Sequence, residues 1–109
     1  MKKYPKHIRE QLRKLMDMAY ERELSHELSQ LADHFDSWKA GKISAGELDH
    51  LIHRYHDDRA RELYKYYNAV SPDLAVARAV AEGWFTQEMI SDEVWPHIEA
   101  TVQFLRDEK

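Results

Sequence analysis

Residues 36–48 read DSWKAGKISAGEL, and within them one helix has to stop and another start. Gly41 suits the residue just past a helix end, where the backbone turns left-handed and a side chain would clash. Three residues on, Ser44-Ala-Gly-Glu47 has the pattern of a capping box. The Ser44 hydroxyl would accept from the amide of residue 47, and the Glu47 carboxylate would reach back to the amide of Ser44. Ile43 before the cap and Leu48 after it sit where a hydrophobic staple closes the entry of a helix. A cap of this kind stabilises a helix start by about 1 kcal/mol. The stretch therefore predicts a corner between a long first helix and a second one beginning near Ser44.

The same letters resemble the calcium loop of the EF-hand family at Asp36, Gly41, Ile43 and Glu47. That resemblance implies oxygen ligands at the first, third, fifth and twelfth positions of the loop. Here the third and fifth positions are Trp38 and Ala40, which supply no side-chain oxygen, and Lys39 and Lys42 add positive charge beside the cation's place. The corner accounts for more of the residues than the metal does.

Working outward, Pro5 opens the first helix, and Ile8, Leu12, Leu15, Met16 and Ala19 recur at helical spacing. Leu24, Leu28, Leu31 and Phe35 continue the apolar pattern on a face roughly 140° further round, taking about 100° per residue. Either the helix breaks near Tyr20 or one rod meets two different neighbours. A chain of 109 residues has few elements with which to cover both stripes, so the second option favours a homodimer joined through Leu24, Leu28, Leu31 and Phe35.

Helix two is expected from Ser44 to about Asn68, with Leu48, Leu51, Ile52, Tyr55, Leu63 and Tyr66 on its inner side. Ser71-Pro72-Asp73 predicts a third, short, Ala-rich helix, with a capping hydroxyl, a proline in the first turn and a carboxylate near the positive end of the dipole. Gly83 closes it, and Trp84 folds back on its last turn. A last helix opens at Thr86 or Ser91, carries Ile90, Val94, Ile98, Val102 and Leu105 inward, and is either kinked by Pro96 or begins there. No strand-like alternation occurs. The expectation is one all-α domain over residues 1–109, an antiparallel bundle of about four helices.

Composition agrees. Apolar residues make up 43% of the chain, enough for a core, while 33% charged residues require a wet surface. The absence of cysteine excludes disulfides and thiol chemistry and fits a reducing compartment. No segment approaches the roughly 20 apolar residues that cross a bilayer, and the N-terminal run lacks the apolar core of a secretory signal. A cytoplasmic protein without membrane contact is expected. Net charge is −4, distributed unevenly. Lys2, Lys3, Lys6, Arg9, Arg13 and Lys14 crowd one end, whereas Ala79 to Leu105 contains acidic residues and no Lys or Arg. Neighbouring first and last helices explain this more simply than nucleic-acid binding by a basic arm, since the chain as a whole is acidic.

Three groupings carry possible chemistry. Glu-x-x-His occurs twice, at Glu23–His26 and Glu47–His50. The pattern resembles that of ferritin-like di-iron carboxylate proteins, and the resemblance implies iron or another transition metal held by such pairs on two helices, with a Glu from each of two others. Glu23 and His26 lie within roughly 60° of the Ile8–Ala19 stripe, so these two are the candidate ligands; Glu47 and His50 fall off their stripe. His50, His53 and His56 gather beside Asp57 and Asp58 on what reads as a solvated shoulder. Arg59 and Glu62 fall within roughly 30° of the second helix's apolar stripe, where Leu or Ile belongs. Unpaired burial of such charges costs several kcal/mol, so either they pair with each other and with Glu23 and His26 in a polar network, or the core ends at Tyr55 and restarts at Leu63.

Tyr64, Tyr66 and Tyr67 beside Arg61 and Lys65 suit a protein interface better than a base-stacking platform, because they do not share one face. No phosphate loop or nucleophile motif is present. The sequence points to a non-catalytic interaction or regulatory module without a cofactor. A di-metal oxidoreductase or metal carrier is the alternative, and nucleic-acid binding through the basic N-terminal helix is a further one.

Overall fold

In the first helix a single rod resolves the question raised at Tyr20. In the computed structural model, which describes residues 4–108, α1 runs unbroken over Lys6–Lys39. Of the basic run, Lys2 and Lys3 lie outside the described residues. The remaining helices are α2 (Ala45–Arg54), α3 (Arg61–Ala69), α4 (Pro72–Ala81) and α5 (Trp95–Asp107). A π-helical turn, Tyr55–Ala60, joins α2 to α3, and a 3₁₀ turn, Gln87–Met89, precedes α5. The fold is all-α, with no strand among the described residues. The chain divides into two compact units: residues up to 21 with those from 69 onward, and residues 22–68. Each unit takes one part of α1, so the two stripes of that helix belong to different units.

The first unit holds the conventional core. Ile8, Leu12 and Ala19 of α1 are buried, as are Ala75, Val76, Ala77, Ala79 and Val80 of α4, and Ile98 and Val102 of α5. Phe85, Ile90 and Val94 fill the connection. α4 and α5 form the most extensive helix pair; the alanines of α4 let their backbones come close. Gly83, with φ +87°, ends α4. The Trp84 amide donates to the Ala79 carbonyl at 2.8 Å and the Gly83 amide to that of Val80 at 3.1 Å, the paired bonds of a Schellman turn. Ser71 occupies the N-cap of α4, but its hydroxyl does not cap the helix; it goes to the Asp73 carboxylate. Pro96 lies in the first turn of α5 and marks its start, so it does not kink the helix. Ser91 prepares that start, its carbonyl accepting from the Trp95 amide at 3.0 Å and its hydroxyl oxygen from the Val94 amide at 3.2 Å.

Polar contacts tie the beginning of α1 into this unit. The Tyr4 hydroxyl donates to Asp73 at 2.8 Å, and its ring stands edge-on to His97 with centroids 5.1 Å apart. Ser91 donates to the Gln11 side chain at 2.7 Å, and His7 lies 3.1 Å from Glu93. Burial, the hydrogen bond to Asp73 and that carboxylate's charge push the Tyr4 phenol up to about 12. Burial alone would raise Asp73, but hydrogen bonds from Ser71, Tyr4 and the Leu74 amide outweigh it and hold the carboxyl below its ordinary value.

The second unit is a helical hairpin built on the corner at residues 40–44. Gly41 has φ +75°. Its amide donates to the Trp38 carbonyl at 3.0 Å, and the Lys42 amide donates to the Ser37 carbonyl at 2.9 Å. The capping box is complete: the Glu47 amide donates to the Ser44 hydroxyl at 3.0 Å and the Ser44 amide to the Glu47 carboxylate at 3.1 Å. Leu48 is buried and Ile43 half-buried, as the staple requires. These bonds occupy Glu47 at the corner.

Candidate functional site

The π turn decides which side chains the second unit turns inward. In an α-helix the stripe through Leu48, Ile52 and Tyr55 would continue at Arg59, Glu62 and Tyr66. Hydrogen bonding to the fifth residue back widens the turn over Tyr55–Ala60 and moves the phase on by one position. The inward positions become Ala60, half-buried, and Leu63 and Tyr67, both buried. Tyr66 is half-buried beside Tyr67, ring edge to face with centroids 5.0 Å apart. Arg59 and Glu62 are thereby rotated outward, with side chains 57% and 68% exposed.

Arg59 still reaches back, to a residue that the sequence reading did not single out. Its Nε and one terminal nitrogen donate to the same oxygen of Glu27, at 3.0 and 2.7 Å. Its other terminal nitrogen lies 3.5 Å from Glu62. The hydrogen bond to Glu27 and that carboxylate's charge raise the Arg59 guanidinium against the opposing effect of burial, and the fields of Glu62 and Glu23 add smaller contributions. Of the four residues expected to form a network, Arg59 and Glu62 meet and Glu23 lies close enough to be felt. His26 instead is exposed, its ring nitrogen 3.2 Å from the Gln30 side-chain nitrogen. The signal for Glu27 was available: it sits one turn beyond Glu23 on α1.

The hairpin's inner line on α1 therefore runs through Glu23, Glu27, Leu31 and His34. Glu23 and Glu27 are buried, 5% and 9% exposed. Leu31 and His34 are half-buried and line a shallow cavity of about 240 Å³ together with Glu27, Leu51, Tyr55 and Arg59. The apolar stripe lies beside this line and shares Leu31 with it, at the edge of the cavity. Leu28 is 46% exposed, Phe35 37% and neighbouring Trp38 41%, while Leu24 and Leu31 are half-buried. Acids are turned in and large apolar groups are left out, the reverse of the distribution that solvation favours in an isolated hairpin.

Of the candidate metal ligands, Glu23 is buried and His26 exposed, so the pair does not present a common face. Among the described residues no group of three or more His, Cys, Asp or Glu side chains stands close enough to hold a metal ion. His50, His53 and His56 are exposed, with His53 3.6 Å from Asp49. Arg9, Arg13 and Lys14 are exposed on α1, and Lys6 lies 4.0 Å from Glu10. No helix is long and apolar enough to cross a membrane among the described residues. Comparison with known protein families, with curated proteins and with solved structures found no match to this chain.

Proposed function

We propose that this chain is a non-catalytic interaction module of the cytoplasm that acts as a homodimer, joined through Leu24, Leu28, Leu31 and Phe35. The observation that carries the reading is the exposure of Leu28 and Phe35 on the hairpin that buries Glu23 and Glu27. An apolar line on a rigid helix, bounded by polar residues, is the form that a helix-to-helix contact takes. The turn bonds of Gly41 and Lys42 and the capping box hold α1 and α2 in place, so the face is preorganised and little conformational freedom is lost when it is covered. Absence of cysteine suits a reducing compartment.

Four principal side chains make a contact at the small end of stable interfaces, which places the dissociation constant in the micromolar range. Light scattering over a dilution series tests this. Twice the chain mass is expected at high micromolar concentration, falling towards the single-chain mass on dilution. One chain mass throughout would overturn the proposal.

A further inference from the structure

From the layout of this face, and resting on the homodimer reading above, we infer that the two copies of α1 pair antiparallel. Leu24 then lies against Phe35 of the second copy, and Leu28 against its Leu31. The stripe's spacings are four, three and four residues. That series reads the same in both directions, so a two-fold axis crossing the helix between Leu28 and Leu31 superimposes large side chain on large side chain in every layer.

Charge separates the antiparallel arrangement from the parallel one. Glu21 lies one turn before Leu24 and Lys39 one turn after Phe35, both exposed on α1. Antiparallel pairing brings Glu21 to Lys39 of the second copy at both ends of the contact. Parallel pairing in register would set Glu21 against Glu21 and Lys39 against Lys39, two repulsions in place of two attractions. Opposed helix dipoles favour the same choice. Ala32, on the flank of the stripe next to Leu28, is small enough to let the second helix approach.

The chain has no cysteine, so introduced thiols report without background. Leu24→Cys and Phe35→Cys proteins are oxidised separately and as an equimolar mixture. The antiparallel pairing predicts disulfide-linked dimers in the mixture, with one Leu24→Cys and one Phe35→Cys chain in each, and little linkage in either protein alone. Efficient linkage within each protein alone would establish parallel pairing and overturn the inference.

Charge reversal reads the direction without touching the stripe. Glu21→Lys and Lys39→Glu should each weaken the dimer about tenfold, as two exposed pairs turn repulsive; the double reversal should restore it. Single reversals that leave the dissociation constant unchanged contradict the antiparallel pairing. A wild-type protein that stays monomeric removes the homodimer reading itself, a result distinct from a dimer whose thiols link in the wrong combination.

Discussion

Replacing the two partners of the Glu27–Arg59 bond one at a time should give unequal results. Glu27 is the buried member, its side chain 11% exposed, while that of Arg59 is 57% exposed. Arg59→Met removes two charge-assisted hydrogen bonds and leaves a carboxylate in a largely water-free position. Exposed pairs contribute about 0.2–1 kcal/mol, and stripping a partner from a fully buried one costs about 3–5 kcal/mol. With one partner in and one out, a loss of about 2 kcal/mol follows. Glu27→Leu removes the same bonds, but it puts an apolar side chain of similar size into a buried place. Arg59 then turns to water and to Glu62, already 3.5 Å away, so the change should be near neutral or stabilising.

Urea unfolding of the two variants and the double replacement at one protein concentration measures this, through midpoint shifts at unchanged slope. The double variant should resemble Glu27→Leu, because the buried carboxylate that Arg59 neutralised is gone in both. If Glu27→Leu costs as much as Arg59→Met, the buried acid has a structural role that its desolvation and one partner do not describe, and the reasoning fails.

The Tyr4–Asp73 bond predicts opposite limits in acid and base. Asp73 has a folded-state pKa below its unfolded value, so its contribution is present above the unfolded value and disappears as pH falls through the folded one. Tyr4 is raised to about 12; its contribution is present below the unfolded value near 10 and is lost as pH rises through about 12. Tyr4→Phe should lower stability at neutral pH by about 1 kcal/mol and flatten the loss as pH falls below the ordinary carboxylate value of about 3.9, read by urea unfolding at each pH. A variant with an unchanged acid limb would refute this link. Deleting exposed Asp57 should turn the π turn into plain α-helix and return Ala60, Leu63 and Tyr67 to the phase of Leu48, Ile52 and Tyr55. Unchanged helicity by circular dichroism, with stability within about 2 kcal/mol of wild type, is the expected outcome; an unfolded deletion protein would contradict the phase argument.

The corner at residues 40–44 was legible because its chemistry is local. A glycine past a helix end and a Ser and Glu three apart form the same bonds wherever they occur. Gly83 and Trp84 were readable on the same ground. The π turn was not, since hydrogen bonding to the fifth residue back has no residue signature of its own. Its trace was the misfit it creates: Arg59 and Glu62 on an apolar line, with Ala60, Leu63 and Tyr67 each one residue later. Missing that shift hid Glu27, because only the outward rotation of Arg59 at the rim of the hairpin brings the two together. Ser71 misled in a smaller way, since Asp73 competes for its hydroxyl at close range. His26 misled for a different reason. It continues the face that α1 presents in the first unit, whereas the second unit draws its inner line through Glu23, Glu27, Leu31 and His34.

Sedimentation equilibrium of Leu28→Glu beside the wild-type protein reaches most directly to the apolar face left outside the hairpin. Leu28 is only 46% exposed before association, so each copy loses about 1 kcal/mol of contact and the dimer about 2 kcal/mol; association weakens roughly 30-fold, and burying two carboxylates there weakens it further. The account predicts a dimer for wild type and a helical, folded monomer for the variant at the same micromolar concentration. Equal masses for the two proteins, whether both single or both double, would contradict it.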